Sequence, residues 1–542
     1  MGETDIFGLD MLPFPSDDRL DEEKEAELEG VVVDLLSKAR AEKAELEKRA
    51  EIWRKYISLD RYTVLPWDGA PDITTPLIRQ KVDGIRAHIQ AAIKQSPMYL
   101  VESDDAAVQR VSNDLERLME TMLQTTNSAQ EIDRAIRDAV EVGTGHIKHI
   151  LYEDRRGWKI PASRYVAFED IYVYPVVPVR DRDRNYFERY QESMATIKAN
   201  AESGIYWIDK LQDELESLSG TDWNRLEELW EAWVWFAGTL YEVRYSQRFG
   251  LLSYRASDWG KLLGRAPYDA VYIEPSQNNY WGDSIPQILE GLQEISDRAF
   301  QIELARGQFQ MNPPILVNAS SPAYRRIVSE GIWRPGEIIE ASTSPQDDIH
   351  IPLQQMNPFN IELLQMAQQM SESASVPDVL IPGQALGGRK TATEINVVSS
   401  SGSQKLRNYL DSVATALRRH ARAKWVLIAY YVLKNPELAY TSKFTWVVNG
   451  RETVPEQQQR LQQLQYLLNP GFLQITQLAA NNPFLQAILL SFLSYLDLPG
   501  LGAYFKKVVG GGSGIQGLGA QMPQQAPGAF VGAAGPAQAG GR

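Results

Sequence analysis

The stretch SIPQILEGLQEISDRAFQIELARGQFQM, Ser284 to Met311, reads as one uninterrupted helix. Ser284 is placed to cap it, and Pro286 sits in the first turn, where a missing N–H is tolerated. Ile288, Leu292, Ile295, Ala299, Ile302 and Phe309 recur as its apolar stripe, and Glu290, Glu294, Asp297, Arg298 and Arg306 take the opposite face. Residues 312–357 then form a small insert. PPILV and PGEIIEA read as strands, SPAYRRIVSEG as a short helix and SPQDDIH as a turn. So small a module needs support from neighbours, having neither cysteine nor a metal cluster. A second helix, NIELLQMAQQMSESA (360–374), follows. Two rods flanking a small insert make a hairpin-like stalk with a tip.

Working outward, residues ~20–57 read as a long helix, with Leu28, Val32, Leu35, Leu36, Ala39, Leu46, Ala50 and Trp53 near helical spacing. After a proline-rich loop, Pro76 opens another helix whose stripe is Ile78, Val82, Ile85 and Ile89. Further helix is expected over ~104–141. Beyond Gly143 the period changes: GHIKHILYE, GWKIPASRYVAF and DIYVYPVV alternate and read as strands. A helix-rich piece is expected over ~187–218, then a second strand group in EAWVWF, LYEVRYS, LLSYRA and DAVYIEP. After a loop over ~375–391, one helix runs to ~Leu433, KFTWVV (443–448) is a strand candidate, and helix resumes to ~506. The last residues, rich in Gly, Ala, Pro and Gln, have little to bury and are expected to be disordered. The fold class is α+β, helix-rich, with two strand clusters separated by helix.

The chain has 542 residues, enough for several cores, and 44% are hydrophobic. Thirteen tryptophans and 24 tyrosines imply large packed surfaces within or between subunits. With no cysteine there is no thiol chemistry or thiolate metal site. Of five histidines, His146 and His149 are three apart, but IKHILYE is strand-like and no third ligand is near, so both read as ordinary polar strand residues. No metal or cofactor is expected. A net charge of −15 argues against a tight grip on nucleic acid over the whole surface. The acidic N-terminus is not a signal peptide, and the apolar runs WVLIAYYVL and AILLSFLSYL are about half the ~20 residues a membrane span needs.

The loop IPGQALGGRKTATEI (381–395) invites a nucleotide reading. Gly383 and Gly388 have the separation of a phosphate loop, but Arg389 is interposed before Lys390 and Thr391, and the preceding VPDVLIP is a poor strand. The same residues make a mobile basic loop whose Thr391 and Glu394 form a capping box for the next helix. No catalytic residue is expected: paired carboxylates such as Asp104–Asp105 have neither a strained glycine turn nor a histidine partner.

At this point the chain resembles the portal proteins, the head-to-tail connectors of tailed bacteriophages. WDGAPDITTPLIRQKVDGIRAHI resembles that family's segment leading into a wing helix, and YVAFEDIYVYP its strand with an acidic pair before an aromatic–proline ending. WGDSIPQILEGLQEISDRAFQ resembles the entry to the first stem helix, RKTATEI the segment after the tunnel loop, and VPEQQQRLQQLQYLL the start of the crown. The resemblance is to a plan of wing, stem, clip, stem, tunnel loop, wing helix and crown. It implies an N-terminal part and wing over 1–283, a first stem helix at 284–311, a clip at 312–357, a second stem helix at 358–374 and a tunnel loop at 375–391. A long wing helix and return strand at 392–450, a helical crown at 451–508 and a disordered tail at 509–542 complete it. The second stem helix is unusually short, bounded by Pro358 and Pro377.

The resemblance further implies a closed ring of about twelve copies at one capsid vertex, through which double-stranded DNA enters and leaves. The expected partners are other copies of the chain, the terminase large subunit, the major capsid and scaffolding proteins, and a head-completion or tail adaptor protein. Location in the virion, and in host cytoplasm during assembly, follows. Gln384, Arg389 and Lys390 would face DNA, and Arg325, Arg326, Trp333, Asp347 and Asp348 of the clip would meet partners. The rival readings are another virion structural protein, such as an adaptor or tail-tube subunit, and, on different grounds, a nucleotide-binding enzyme.

Overall fold

Thirty-seven residues from Glu22 to Ser58 form one helix, α1, about 55 Å long at ~1.5 Å per residue. Its Ala-, Glu- and Lys-rich sequence, free of proline and interrupted only by Gly30, allows that length, and its apolar positions use it in two places. Leu28, Val32, Leu36 and Ala39 pack on Trp230, Val243, Tyr245 and Tyr254. Ala50 and Trp53, more than two turns further on, belong to a different core with Phe168, Val173 and Trp281. The computed structural model describes residues 10–11, 19–60, 73–94, 96–103, 105–153, 158–207, 211, 220–311, 316–317, 320, 349–350, 359–374, 392–438 and 443–449. All lie in the first of the chain's two units, Met1–Val454.

The strands are β1 (Asp10–Met11), β2 (Tyr99–Glu102), β3 (Thr144–Glu153), β4 (Lys159–Val166), β5 (Ile171–Tyr174), β6 (Asn185–Ser193), β7 (Leu226–Phe236), β8 (Thr239–Ser246), β9 (Gly250–Ala256), β10 (Tyr268–Tyr272), β11 (Leu316–Val317), β12 (Ile349–His350) and β13 (Thr445–Val448). They make a five-stranded antiparallel meander, β5-β6-β7-β8-β9, and a four-stranded sheet in which β3 pairs with β4 on one side and with β10 and β1 on the other. Two-stranded ribbons join β2 to β13 and β11 to β12. The remaining helices are α2 (Leu77–Ile93), α3 (Ala106–Thr125), α4 (Ser128–Val142), α5 (Met194–Glu202), α6 (Trp259–Leu262), α7 (Ile285–Met311), α8 (Phe359–Ala374) and α9 (Ala392–Leu427), the last continued by a π-helical turn, Ile428–Val432. The class is α+β. Among the described residues no helix is long and apolar enough to cross a membrane.

Several expectations need correction. Residues 187–193, placed in a helix-rich piece, belong to strand β6, and among the described residues of that stretch α5 supplies Met194–Glu202. The expected helix over ~104–141 is two, broken where Asn127 takes a left-handed conformation. The strand groups do not separate by sequence: β5, from the first group, opens the five-stranded meander, whereas β10, from the second, pairs with β3. In SPQDDIH, read as a turn, Ile349 and His350 are strand β12.

Close approach explains two glycines. Gly143 ends α4 with φ of 91°, and a Cβ there would lie 2.1 Å from the Gly282 carbonyl oxygen. A Cβ on Gly145 would lie 1.7 Å from the Ala135 carbonyl oxygen, so α4 can rest directly on the start of β3.

The two larger sheets meet across a layer of buried charge. Lys148 of β3 donates to Glu188 of β6 (2.7 Å) and to Glu231 of β7. Arg164 of β4 and the Tyr268 hydroxyl of β10 also donate to Glu188. Arg244 of β8 bridges Glu231 and Glu242, and Arg255 of β9 completes the row on Glu242 (2.7 Å). Burial opposes ionisation of Glu231, but Arg244, Lys148 and Arg164 outweigh it and hold its carboxyl well below the usual range. Stability from such a depressed group is present above its ordinary value of 4.5 and is lost as pH falls through the folded value. Lys148→Met is expected to leave two buried carboxylates short of a partner and to cost about 3–5 kcal/mol, read as a lower urea midpoint at unchanged slope.

Candidate functional site

Two regions of the described residues stand apart from ordinary core: the pair α7–α8, which exposes several large apolar side chains, and a buried His–Asp–His cluster under α9.

The first half of α7 is bolted down by its polar face. Ser284 caps the helix, accepting from the Gln287 amide (3.1 Å). Glu290 accepts from Arg49 (3.1 Å) and from the Trp53 indole (3.0 Å) of α1. Asp297 accepts from the Thr75 amide (2.6 Å) and hydroxyl (2.7 Å), and Gln293 accepts from the Ile78 amide (3.0 Å) while donating to the Thr75 carbonyl (2.7 Å). These bonds satisfy donors at the start of α2 that have no partner within that helix. The expected polarity of α7 is thereby partly inverted. Asp297, assigned to the outer face, is fully buried, whereas Ile295 and Ile302, assigned to the buried stripe, are 44% and 43% exposed.

The second half of α7 packs on α8. Asn360, at the start of α8, donates to Glu303 near the end of α7 (2.6 Å), so the helices run antiparallel. Small residues take several of the buried positions, Ala299 and Ala305 on α7 and Ala367 and Ser371 on α8, beside Gln301 and Asn360; Phe300, Leu304, Leu363 and Leu364 are half-buried. The bulky ones, Ile361 and Met366, stand 53% and 60% exposed. A helix pair that buries alanine and serine while exposing isoleucine and methionine is inside-out relative to a self-sufficient hairpin.

The second region brings together residues distant in sequence. His149 of β3 donates through Nε2 to Asp269 Oδ2 of β10 (2.6 Å), and His420 of α9 approaches the same oxygen through Nδ1 (3.2 Å). Arg265 binds the other oxygen at 2.5 Å, and Arg419 Nε lies 3.5 Å from it. Ser163 of β4 joins His420 Nε2 (3.0 Å), and Lys424 donates to both Ser163 (3.1 Å) and Ser128 (3.0 Å). Since Lys424 supplies a proton to Ser163, that hydroxyl can donate to His420 Nε2, leaving His420 Nδ1–H for Asp269. Both imidazoles are then neutral donors to one carboxylate. Burial would raise the Asp269 carboxyl, but Arg265 and the two imidazoles hold it well below its ordinary range. Burial pushes His420 down to about 3, lowers His149 as well, and brings Lys424 down to about 7.

His149, Asp269 and His420 have the composition of a metal site. The geometry does not fit one. The imidazole rings are stacked, 4.4 Å between centres and inclined by 12°. Lone pairs in nearly parallel planes do not converge on an ion ~2.1 Å from each nitrogen. Arg265 and Arg419 already add positive charge around the same carboxylate. The cluster is a hydrogen-bonded pin between β3, β10 and α9. Ser163 and Lys424 have the residue types of a nucleophile and base, but both are buried, Lys424 completely.

The loop residues Gln384, Arg389, Lys390 and Thr391 lie outside the described residues, as do the clip residues Arg325, Arg326, Trp333, Asp347 and Asp348; Glu394 is in α9, with its side chain undescribed. Reading the sequence alone misses the cluster: His149 is a buried hydrogen-bonding residue, and its partners are 120 positions or more away, with no local signal.

No family model matches the chain, and no curated protein does. Among solved structures, one similar chain belongs to the neck of an empty GTA particle computed with C6 symmetry. It shares 12% identity at a TM-score of 0.36, over 73% of this chain and 89% of that one. That likeness is too loose to carry a functional argument.

If the cluster is a pin and not a metal centre, zinc and EDTA will each leave the thermal midpoint unchanged. Asp269→Asn, which leaves Arg265 and its neighbours without a counter-charge, should destabilise by about 3–5 kcal/mol in a denaturant titration.

Proposed function

We propose that this chain is a portal-type subunit of a phage-like virion. Copies associate side by side into a closed ring of about twelve, around a channel for double-stranded DNA. The observation that carries the reading is the inside-out pairing of α7 and α8. Two antiparallel rods that expose Ile295, Ile302, Ile361 and Met366 need a further apolar surface, and a head-to-tail ring supplies the same surface to every copy. The segments that resemble portal proteins, in their order from residue ~64 to ~468, support it independently.

In this reading α7 and α8 are the stem, 312–357 the clip that meets the terminase large subunit and later the head-completion or tail adaptor protein, and 375–391 the tunnel loop. Contacts with major capsid and scaffolding proteins belong to the outer parts of the ring. The role is structural and non-enzymatic. Gln384, Arg389 and Lys390 face the duplex. Each subunit carries a formal charge of −15, so an acidic channel repels DNA while a ring of basic loops adds weak, salt-screened contacts, a balance suited to sliding.

Native mass spectrometry tests the ring. About twelve copies of a 61.1 kDa chain should appear as a closed species of ~730 kDa, visible as an annulus by electron microscopy. Ile295→Asp combined with Ile302→Asp should shift it to small species while far-ultraviolet circular dichroism is retained. A wild-type chain that stays monomeric under assembly conditions would sink the proposal. Separately, Arg389→Ala with Lys390→Ala should leave rings intact and change DNA packaging or retention; unchanged packaged length and retention would remove the loop's role.

A further inference from the structure

Helix α9 is held by two unlike attachments. Leu406, Leu410, Val413, Leu417, Ala421 and Trp425 join the large apolar core built with α2 and α4. His420 and Lys424, one turn apart, enter the polar cluster instead. Lys424 is completely buried, and its hydrogen bonds go to two hydroxyls, Ser128 and Ser163. The nearby carboxylate, Asp269, is already occupied by His149, His420 and Arg265, with Arg419 beside it. The region thus sets Arg265 and Arg419 on one buried acid and leaves Lys424 among hydroxyls. A proton added to Lys424 brings positive charge whose bonded partners are hydroxyls only, and one added to either imidazole must share a carboxylate that already balances Arg265.

The charged and titratable groups facing this part of α9 come from every element around it. β3 contributes His149, β10 contributes Asp269 and Tyr272, and β2 contributes the buried Tyr99, which lies within the field of Asp269. The segment before β10 contributes Arg265, and β6 contributes Tyr186. Asp181 pairs with the more exposed Arg419. From α4 and β4 come the hydroxyls of Ser128 and Ser163.

We propose that the docking of α9 is a proton-dependent latch: the helix seats on β3, β4 and β10 with the 149–420–424 cluster in its low-proton form, and proton uptake by that cluster loosens α9 while the two sheets remain assembled. The proposal is independent of the ring reading, because it concerns contacts within one chain.

The direction follows from linkage. Lys424 sits at about 7 when docked against an ordinary 10.5, so the latch tightens as pH rises from about 7 toward 10.5. His420, at about 3 against an ordinary 6.5, adds a second window in which the latch weakens as pH falls below 6.5. Asp269 stays ionised through both windows.

Hydrogen–deuterium exchange of the full chain, corrected for the intrinsic pH dependence of exchange, reads the latch directly. Between pH 7 and 9, protection of residues 406–427 should rise relative to α4, by up to roughly tenfold per pH unit. Lys424→Met should abolish that slope and protect α9 more than wild type at pH 7. If Lys424→Met does not fold, His420→Gln carries the test between pH 6.5 and 4, where it should flatten the loss of protection in α9. The latch is overturned if the slope survives in the folded variants, or if α9 and α4 change protection together.

Discussion

Lys148 is the charge on which the two larger sheets meet. Its amine lies between Glu188 and Glu231 of the five-stranded meander, yet it stands on β3, the central strand of the other sheet. The arrangement has a strict physical condition: none of the three ions can remain buried without the others. Arg164, Tyr268 and Arg244 extend the condition to β4, β10 and β8. Apolar packing between sheets is tolerant of sliding, whereas a row of paired charges is satisfied at one register. Within its own sheet Lys148 is paired with Tyr268 of β10, and its neighbour His149 reaches Asp269.

From this junction the molecule divides its surfaces by a consistent logic. In the body of the fold, polar side chains are turned inward and hydrogen-bonded, as with Asp297, Gln293 and Asp269. Along the rods, Ile295, Ile302, Ile361 and Met366 are turned outward while several small side chains are turned inward. The first pattern makes a self-contained body; the second makes an element that a single chain leaves unfinished. Both occur within one helix, α7, whose first half is keyed to α1 and α2 by Glu290, Gln293 and Asp297 and whose second half displays Ile302.

What could be read from sequence was what depends on near neighbours. The capping serine at 284, the length of α1, the change to strand after Gly143 and the second rod at 360–374 are all local, and all are found. Strand β6 was misread because NYFERYQES carries Glu188, Arg189 and Glu192, which suggest a solvated helix face. Glu188 is buried by Lys148 and Arg164, tens of residues away. The outer face of α7 was misassigned for a related reason. Nothing near Asp297 announces that Thr75 will take it inward, 222 positions distant. The candidate pin was invisible because one of its members, His420, lies 151 residues from Asp269. The basic loop and clip residues rest on resemblance alone.

The clamp at the foot of α7 has a mechanical meaning. Arg49 and Trp53 grip the rod through Glu290, and Thr75 and Ile78 grip it through Gln293 and Asp297, less than two turns along. Grips on two helices fix the azimuth of the rod as well as its tilt, as a key fixes a shaft. Each residue of an α-helix advances the side-chain direction by about 100°. One residue inserted between Asp297 and Ile302 would therefore swing the outer end of the rod by more than a quarter turn, and the clamp would transmit torque along α7 into α1 and α2 instead of letting the rod spin.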